Sequence, residues 1–216
     1  MALTAQPWAI PPDAMAGVRA QGLDEAQVET AIGVIAMFNY FTRVADATGI
    51  EFDYLSPLPA FEPDRCQVTA ARPADPGEPG PGPRLRPRHG LLPERWEAWR
   101  SYVLEAAEPI GPRERRLLAG FAAREATDWA GAAAIGEPGP AADGATADGR
   151  AAAADETLVA FARKLSREPW QMTEADLAGL RDLGYSEPAV LHMISAVAHQ
   201  NADSRLTLGL AAATRK

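Results

Sequence analysis

Two stretches near opposite ends of the chain read Leu3-Thr-Ala-Gln-Pro-Trp8 and Leu165-Ser-Arg-Glu-Pro-Trp170. They lie 162 residues apart (165 − 3), and the register continues without a gap to Ile50 over Ala212. Thirteen of these 48 positions are identical, where chance would supply roughly three, so the sequence predicts an internal repeat. In the first copy the identical residues are Leu3, Pro7, Trp8, Ala16, Gly17, Arg19, Gly22, Glu25, Val28, Ile32, Ala36, Asn39 and Arg43.

Each copy predicts a short helix, a glycine stop and a long amphipathic helix. In the first copy we expect the short helix over 12–21, with Gly22 as its C-terminal stop. Asp24 and Gln27 have the spacing of a capping box, which places the start of a long helix that runs to about Thr48.

The rest of the chain also predicts helices, because no segment shows sustained alternation of apolar and polar residues. Proline at a first helical turn and glycine or serine at the ends set most of the boundaries. The predicted helices cover about 93–107, 112–134, 155–166, 173–184 and 186–210. The expected fold class is therefore all-α.

A proline-rich segment separates the two ends of the chain. Ten prolines fall between Pro57 and Pro93, and such a stretch cannot hold a helix or an interior strand. We therefore expect a half unit over 1–55, a linker over 56–92 and a full unit over 93–216. Near its end the linker carries a small basic patch that we interpret as solvated charge, namely Arg84, Arg86, Arg88 and His89.

Composition limits the classes of partner and of chemistry. The 21 Lys and Arg against 29 Asp and Glu give a net charge of −8, which argues against nucleic acid and against an anionic membrane surface. No apolar run approaches the roughly 18 residues of a membrane span, and the N-terminus lacks a signal peptide, so we expect a soluble cytoplasmic protein. The single Cys66 excludes an internal disulfide framework and any mechanism that needs two thiols in one chain.

Several segments carry a resemblance to a known family. Phe161-Ala-Arg-Lys-Leu-Ser166, the stretch 172–187, the helix 22–46 with its aromatic-Asn and Arg pattern, and 113–123 resemble the alkylhydroperoxidase D-like, carboxymuconolactone decarboxylase-like family. The resemblance includes the peroxidase-related branch and covers about 1–55 and 93–212. It implies an alkylhydroperoxidase D-like helical bundle that forms oligomers.

The same resemblance locates where thiol chemistry would reside. Peroxidase members of the family carry Cys-x-x-Cys at the start of a helix, with a His a few residues on and a Glu about three turns before. One thiolate attacks the peroxide and the second resolves the sulfenic acid. Here the two Cys positions read Thr127 and Ala130, so we expect no thiol peroxidase activity. The His position reads Ala133 or Ala134, and the Glu falls near Arg115 or Arg116.

Four polar residues lie on the apolar faces of the two long helices. Asn39 and Arg43 follow the Val28 stripe, and Asn201 and Arg205 repeat them in the second copy. A buried amide without a partner costs roughly 1–3 kcal/mol, so these side chains must be paired. Either they tie helix ends together, within the bundle or to another subunit, or they line a cavity for a small-molecule ligand.

His192, His199 and Asp203 recur at intervals of seven and four on one helix. All three span too far for one ion unless only His199 and Asp203 bind, and we interpret them as a solvated or interface face, so no metal is predicted. No cofactor is predicted either. The aromatic and methionine residues around Asn39 indicate a packing or subunit interface.

Three functions remain open from the sequence. The chain is a degenerate, peroxidase-related scaffold or partner of an active paralogue, a cysteine-independent decarboxylase-like enzyme for a small organic acid or lactone, or a binding module for such a molecule. The expected partner is a second copy or a paralogous subunit. Because the first copy lacks the helices that precede the second, we also hypothesise that Met1 is internal to a longer reading frame.

Overall fold

The computed structural model describes residues 2–50, 70–74, 84–139 and 150–214, and within these ranges the chain is all-α without a strand. This confirms the predicted fold class. The helices are α1 (Ala2–Ala5), α2 (Pro12–Ala20), α3 (Glu25–Thr48), α4 (Leu92–Glu105), α5 (Pro112–Glu125), α6 (Trp129–Ile135), α7 (Arg150–Arg167), α8 (Glu174–Asp182) and α9 (Glu187–Thr214). Short 3-10 turns cover Pro7–Ala9 and Pro169–Gln171.

The elements at the two ends of the chain share the offset of 162 residues. The 3-10 turns, the pair α2 and α8, and the pair α3 and α9 each begin at positions that differ by this number. Gly22 and Gly184 lie at corresponding positions and both have a positive φ, 85° and 94°. This conformation suits glycine, which is why both short helices end there.

The start of α3 follows the predicted capping box. The backbone N–H of Gln27 donates to Asp24 Oδ1 at 2.8 Å, and the backbone N–H of Asp24 donates to Gln27 Oε1 at 2.9 Å. Two otherwise unpaired donors at the helix start are thereby satisfied. The helix ends at Gly49, which has left-handed backbone geometry.

The prediction of one helix over 112–134 is wrong. α5 ends at Glu125, and Thr127 has a φ of 59°, which a continuous α-helix does not allow. A new helix, α6, then begins because the Asp128 side chain caps it by accepting the backbone N–H of Gly131 at 2.9 Å.

The two long helices α3 and α9 cross each other in an antiparallel direction. The Tyr40 hydroxyl is hydrogen-bonded to Ser195 Oγ at 2.8 Å, whereas Ile32, eight positions earlier on α3, lies against Gly209. Each long helix therefore begins in one hydrophobic core and ends in the other: Val28 and Leu206 lie in one, Val190 and Ala47 in the second. The N-terminal helix α3 is thus covered by the C-terminal helix α9 within one chain.

The described end of the predicted linker packs on the bundle. Leu85 joins the core that contains Val28, and Glu29 accepts hydrogen bonds from the backbone N–H of Arg88 and His89. The interpretation of the basic patch as solvated charge is wrong for Arg84, whose side chain is 8% exposed and lies against Asp203. A carboxylate about 120 residues away in sequence decides its placement, which local composition cannot reveal.

Candidate functional site

The four polar residues singled out in the sequence form two matching hydrogen-bonded pairs. Arg43 donates to the carbonyl and to Oδ1 of Asn39, both at 3.1 Å. Arg205 donates to the same two atoms of Asn201, both at 3.0 Å. All four residues are buried. Each Arg thus donates from one guanidinium nitrogen to two oxygens of the Asn that lies one helical turn before it.

The remaining donors of each pair reach across the crossing of α3 and α9. Asn201 Nδ2 donates to Ser166 Oγ at 2.8 Å, and Arg43 donates to the Ser166 carbonyl at 3.0 Å. At the corresponding position, Thr4 Oγ1 accepts from Asn39 at 3.2 Å and the Thr4 carbonyl accepts from Arg205 at 2.9 Å. The arrangement is reciprocal, since each Arg bonds the backbone of the other end of the chain. These hydrogen bonds join helix ends within the bundle, which is one of the two alternatives that the sequence left open.

Burial changes the electrostatics of these two guanidinium groups. It lowers the pKa of Arg43 to about 10, against a smaller opposing effect of Asp46. Burial, together with the nearby charge of Arg43, also lowers the pKa of Arg205 well below its usual value. Most of their donors are taken up by protein carbonyl and amide oxygens, whereas the buried Nε of Arg43 has no hydrogen-bond partner among the described residues.

Thr127 and Ala130, the positions that the sequence resemblance assigns to two cysteines, lie at the junction of α5 and α6. Thr127 is buried in its left-handed conformation, and Ala130 is half-buried in the first turn of α6. Ala133 and Ala134, at the position of the family's His, are exposed. Neither a thiol nor an imidazole is present at this junction. Cys66 lies outside the described residues.

Arg115, near the position of the family's Glu, has a structural role. It is buried and donates to the carbonyl oxygens of Ile110, Val103 and Glu108 at 2.9, 3.1 and 2.9 Å. It therefore holds the loop between α4 and α5.

A buried polar cluster that the sequence did not predict lies between α4, α9 and the segment 84–88. At its centre is Asp203, which is fully buried. Trp96 Nε1 donates to Asp203 Oδ1 at 2.9 Å, Arg86 approaches the same oxygen at 3.4 Å, and Arg84 lies against Oδ2. One buried carboxylate thereby faces two cations, of which Arg84 is buried and Arg86 is partly exposed.

Two titratable groups flank this centre. Burial raises the pKa of Asp128, although the Gly131 N–H, the Ser204 hydroxyl and Arg84 act in the opposite direction. Burial, reinforced by the positive charges of Arg84, Arg100 and Arg86, lowers the pKa of His199 to about 3. His199 is therefore neutral at pH 7, with its ring edge against Trp99 at a centroid distance of 4.4 Å.

Several buried polar atoms of the cluster have no hydrogen-bond partner among the described residues. They include Nε2 of His199 and Oε1 of Gln200, both on α9, as well as Nε of Arg84 and Oδ2 of Asp128. Buried polar atoms of this kind usually bind ordered water. The described residues contain no group of three or more His, Cys, Asp or Glu placed to hold a metal ion.

A surface pocket of about 400 Å³ adjoins the cluster. Its floor is apolar, formed in part by Val28, Leu85 and Leu210, and its rim carries both charges. Arg86 belongs to both sites because it lines the pocket and reaches Asp203. The charged lining residues are Arg19, Arg86, Arg88, Glu25 and Glu29. The pocket does not include the four polar residues predicted as ligand contacts.

Comparison of the chain with protein-family models, with curated protein sequences and with solved structures returns no significant match. No helix in the described part of the chain is long and apolar enough to cross a membrane.

The cluster around Asp203 left one signal in the sequence. Asp203 and Gln200 stand on α9 where α3 has Phe41 and Phe38 at the corresponding positions. This difference in polarity between the two helices is the feature of the sequence that marks the cluster, although both side chains are buried rather than solvated. The partners Arg84 and Trp96 could not be found in the same way, because they come from distant segments.

Proposed function

We propose that this protein is a thiol-independent, peroxidase-related helical bundle of the alkylhydroperoxidase D-like type, with an internal repeat, that acts as a scaffold or partner subunit. The observation that supports the proposal is which residues lie at and near the junction between α5 and α6. Thr127 and Ala130 occupy the thiol positions, and Arg115 holds a loop instead of moving a proton. The bundle architecture remains while the redox groups are replaced.

The network at the crossing of α3 and α9 supports a structural role. Asn39, Arg43, Asn201 and Arg205 bond to each other and to the backbone across the crossing. Such buried groups, bonded to one another across the crossing, fix the relative placement of helices.

Peroxide consumption with a dithiol reductant tests this proposal. We expect the wild-type protein and the Cys66→Ser variant to consume hydrogen peroxide and an organic hydroperoxide no faster than buffer with reductant. A rate above this background that disappears in Cys66→Ser would overturn the proposal, because it would demonstrate thiol-dependent turnover. A known two-cysteine peroxidase in the same assay serves as the positive control.

A second experiment tests the placement of the family motif. In a Cys66→Ser background, the pair Thr127→Cys and Ala130→Cys should form a disulfide on mild oxidation, because Cys-x-x-Cys at a helix start has favourable geometry. The pair Thr127→Cys and Ala134→Cys spans nearly two turns of α6 and should stay reduced. Equal oxidation of both pairs would contradict the assigned register.

A second candidate function is the binding of a small organic acid in the 400 Å³ pocket. The observation that favours it is that three arginines, Arg19, Arg86 and Arg88, line the pocket together with apolar side chains. Guanidinium groups bind carboxylates in a planar, bidentate manner, and an apolar lining accommodates a short hydrocarbon body. Arg86 is already paired with Glu97 at 2.8 Å, and Arg19 donates to the Ala213 carbonyl, so Arg88 would carry the contact.

Thermal shift with a panel of mono- and dicarboxylic acids tests the second candidate. We expect at least one acid to raise the melting temperature of the wild-type protein, and we expect Arg88→Gln to abolish the rise. Arg116→Gln, an exposed cation on α5 outside the pocket, is the matched control and should leave the rise intact. No shift with any acid, or an equal shift in Arg88→Gln, would exclude this site.

A further inference from the structure

Three arginines surround one carboxylate at the end of α5. Glu125 is the last residue of that helix, and its side chain is only 7% exposed. Arg72 donates to Glu125 Oε2 at 2.5 Å, and Arg167 donates to both carboxylate oxygens. Arg163 Nε lies 3.6 Å from Oε1. We call Arg72, Arg163 and Arg167 the arginine triad.

The arginine triad carries more charge than Glu125 neutralises. Three cations around one carboxylate leave an excess of two positive charges. In the part of the chain that the structure describes, no other carboxylate contacts three cations, and Asp155 and Asp176 contact one each. Crowded like charges repel one another, so a second anion at this place would be bound favourably. The excess stands out in a chain whose net charge is −8.

Aromatic rings hold two members of the arginine triad in place. The Arg72 guanidinium lies over the Trp8 ring at 5.4 Å from its centroid, and the Arg163 guanidinium lies over the Phe121 ring at 5.1 Å. Stacking on a ring fixes the plane of a guanidinium group. Arg163 and Arg167 lie one turn apart on α7. The triad is therefore arranged before a ligand arrives, which lowers the cost of ordering it.

The arginine triad retains hydrogen-bond donors that Glu125 does not use. Arg163 is too far from Glu125 for a hydrogen bond, so its five N–H groups are not taken up by that carboxylate. The buried Nε of Arg72 has no hydrogen-bond partner among the described residues. The side chains of Arg163 and Arg167 are 50% and 49% exposed, so a molecule from solvent can reach them.

We propose that the arginine triad binds a phosphoryl dianion, either free phosphate or the phosphate group of a small monoester, on the solvent side of Glu125. The two negative charges of this group match the excess charge of the triad. Its oxygens accept the paired hydrogen bonds that guanidinium groups donate. Because all three arginines contact one carboxylate, they are close enough together to converge on a second oxyanion of similar size.

This site goes beyond the scaffold role and does not depend on it. It also differs from the 400 Å³ pocket, because none of the triad arginines lines that pocket. The half-exposed side chains of α7 leave the solvent side open, so the organic part of a monoester can extend away from the protein.

Isothermal titration calorimetry of the full chain tests the proposal, with inorganic phosphate and glycerol 3-phosphate as probes. At pH 8 both are mainly dianions, because their second pKa is about 6. We expect one saturable site per chain for which sulfate competes, and at least about 10-fold weaker binding of the monoanion acetate. Tighter binding of glycerol 3-phosphate would identify a monoester as the source of the phosphoryl group, and equal or weaker binding would identify free phosphate.

Single substitutions test whether the arginine triad forms the site. Arg163→Gln and Arg167→Gln should each weaken phosphate binding at least about 10-fold. Helix content should stay unchanged, because Glu125 keeps two arginines in either variant. Arg181→Gln is the matched control: it removes the same charge from a place where one arginine faces two carboxylates, and it should bind phosphate like the wild type.

Three results would overturn the proposal. They are the absence of saturable binding of both phosphate probes, wild-type affinity in Arg163→Gln or Arg167→Gln, and acetate binding as tight as phosphate binding. None of these results changes the outcome of the peroxide assay, so the phosphate site and the scaffold role can fail separately.

Discussion

Helices α3 and α9 begin at matching positions, Glu25 and Glu187, and cross each other, yet their surroundings differ. α9 runs through the interior and packs on α4, α5, α7 and α8 in addition to α3. α3 packs mainly on α9, on α1 and on the 3-10 turn at Pro169–Gln171. A comparison of the two helices therefore distinguishes the residues that pack at their crossing from the residues that face the other surroundings of each helix.

Identity between the two helices is concentrated at the crossing. The five identical positions after the first turn are buried in both helices: Val28 and Val190, Ile32 and Ile194, Ala36 and Ala198, Asn39 and Asn201, Arg43 and Arg205. The exposed positions of α3, Val34, Ile35, Phe38 and Phe41, share no identity with the corresponding positions of α9. The contact between α3 and α9 therefore determines which residues occupy the crossing positions. The different surroundings of each helix determine which residues occupy the remaining positions. The predictions below each test a matched pair of positions.

The largest effect is expected at Asp203 and its counterpart Phe41. Asp203→Ala should reduce the free energy of unfolding by about 3–5 kcal/mol, because it leaves the buried Arg84 and Trp96 without their acceptor. Phe41→Ala, at the exposed position, should cost about 1 kcal/mol or less. Urea unfolding followed by circular dichroism measures both. Asp203→Asn is the control and should cost less than Asp203→Ala, since its amide oxygen still accepts from Trp96.

The second effect concerns the two Asn residues at the crossing. We expect Asn201→Ala to cost about 2–4 kcal/mol and Asn39→Ala about 1–2 kcal/mol. The hydroxyl partner of Asn201, on Ser166, is buried, whereas Thr4, the partner of Asn39, is exposed and can bond water instead. Chemical unfolding of the two variants checks the order. Equal losses would show that the crossing is insensitive to the surroundings of its two ends.

These pairs show what sequence reasoning can and cannot reach. The starts of α3 and α8 follow from local signals, since Asp24 and Thr173 each form a capping box with the third residue on. The offset of 162 residues also predicts from sequence alone that Asn39 matches Asn201 and that Arg43 matches Arg205. The cluster around Asp203 was missed because its cations come from a proline-rich segment that shows no local preference for burial. The break at Thr127 was missed because alanine-rich flanks favour a continuous helix.

The third effect is a pH dependence carried by His199, whose counterpart on α3 is Met37. The pKa of His199 is about 3 in the folded protein and about 6.5 when unfolded. Between these values the unfolded chain binds more protons, so stability falls as the pH is lowered from about 6.5, by up to about 1.4 kcal/mol per unit. His199→Met should remove this part of the slope.

Urea unfolding between pH 4.5 and 7.5, roughly the range in which an unfolded His titrates, measures the difference between wild type and His199→Met. Asp128 contributes in the opposite sense, because burial raises its pKa and its folded form then binds more protons than its unfolded form. That contribution is common to both proteins and cancels in the difference. Parallel pH profiles for the two proteins would show that His199 is not a buried neutral group.

The smallest effect is expected at two glycines, one in each short helix, that should respond alike to substitution. Gly17 on α2 and Gly179 on α8 are identical positions inside helices, and no atom lies within 4 Å of a Cβ added at either. Replacing either by Ala should stabilise the protein by about 0.5–1 kcal/mol through helix propensity.

Gly209 provides the contrast, because its added Cβ would lie 2.7 Å from Ile32 Cγ2 at the crossing. Gly209→Ala should therefore destabilise the protein, by about 1–3 kcal/mol, despite the same gain in propensity. Thermal melts of the three variants distinguish these cases. If Gly17→Ala and Gly179→Ala differed in sign, the short helices would not share one environment, and the matching of the two ends would then be limited to the crossing of α3 and α9.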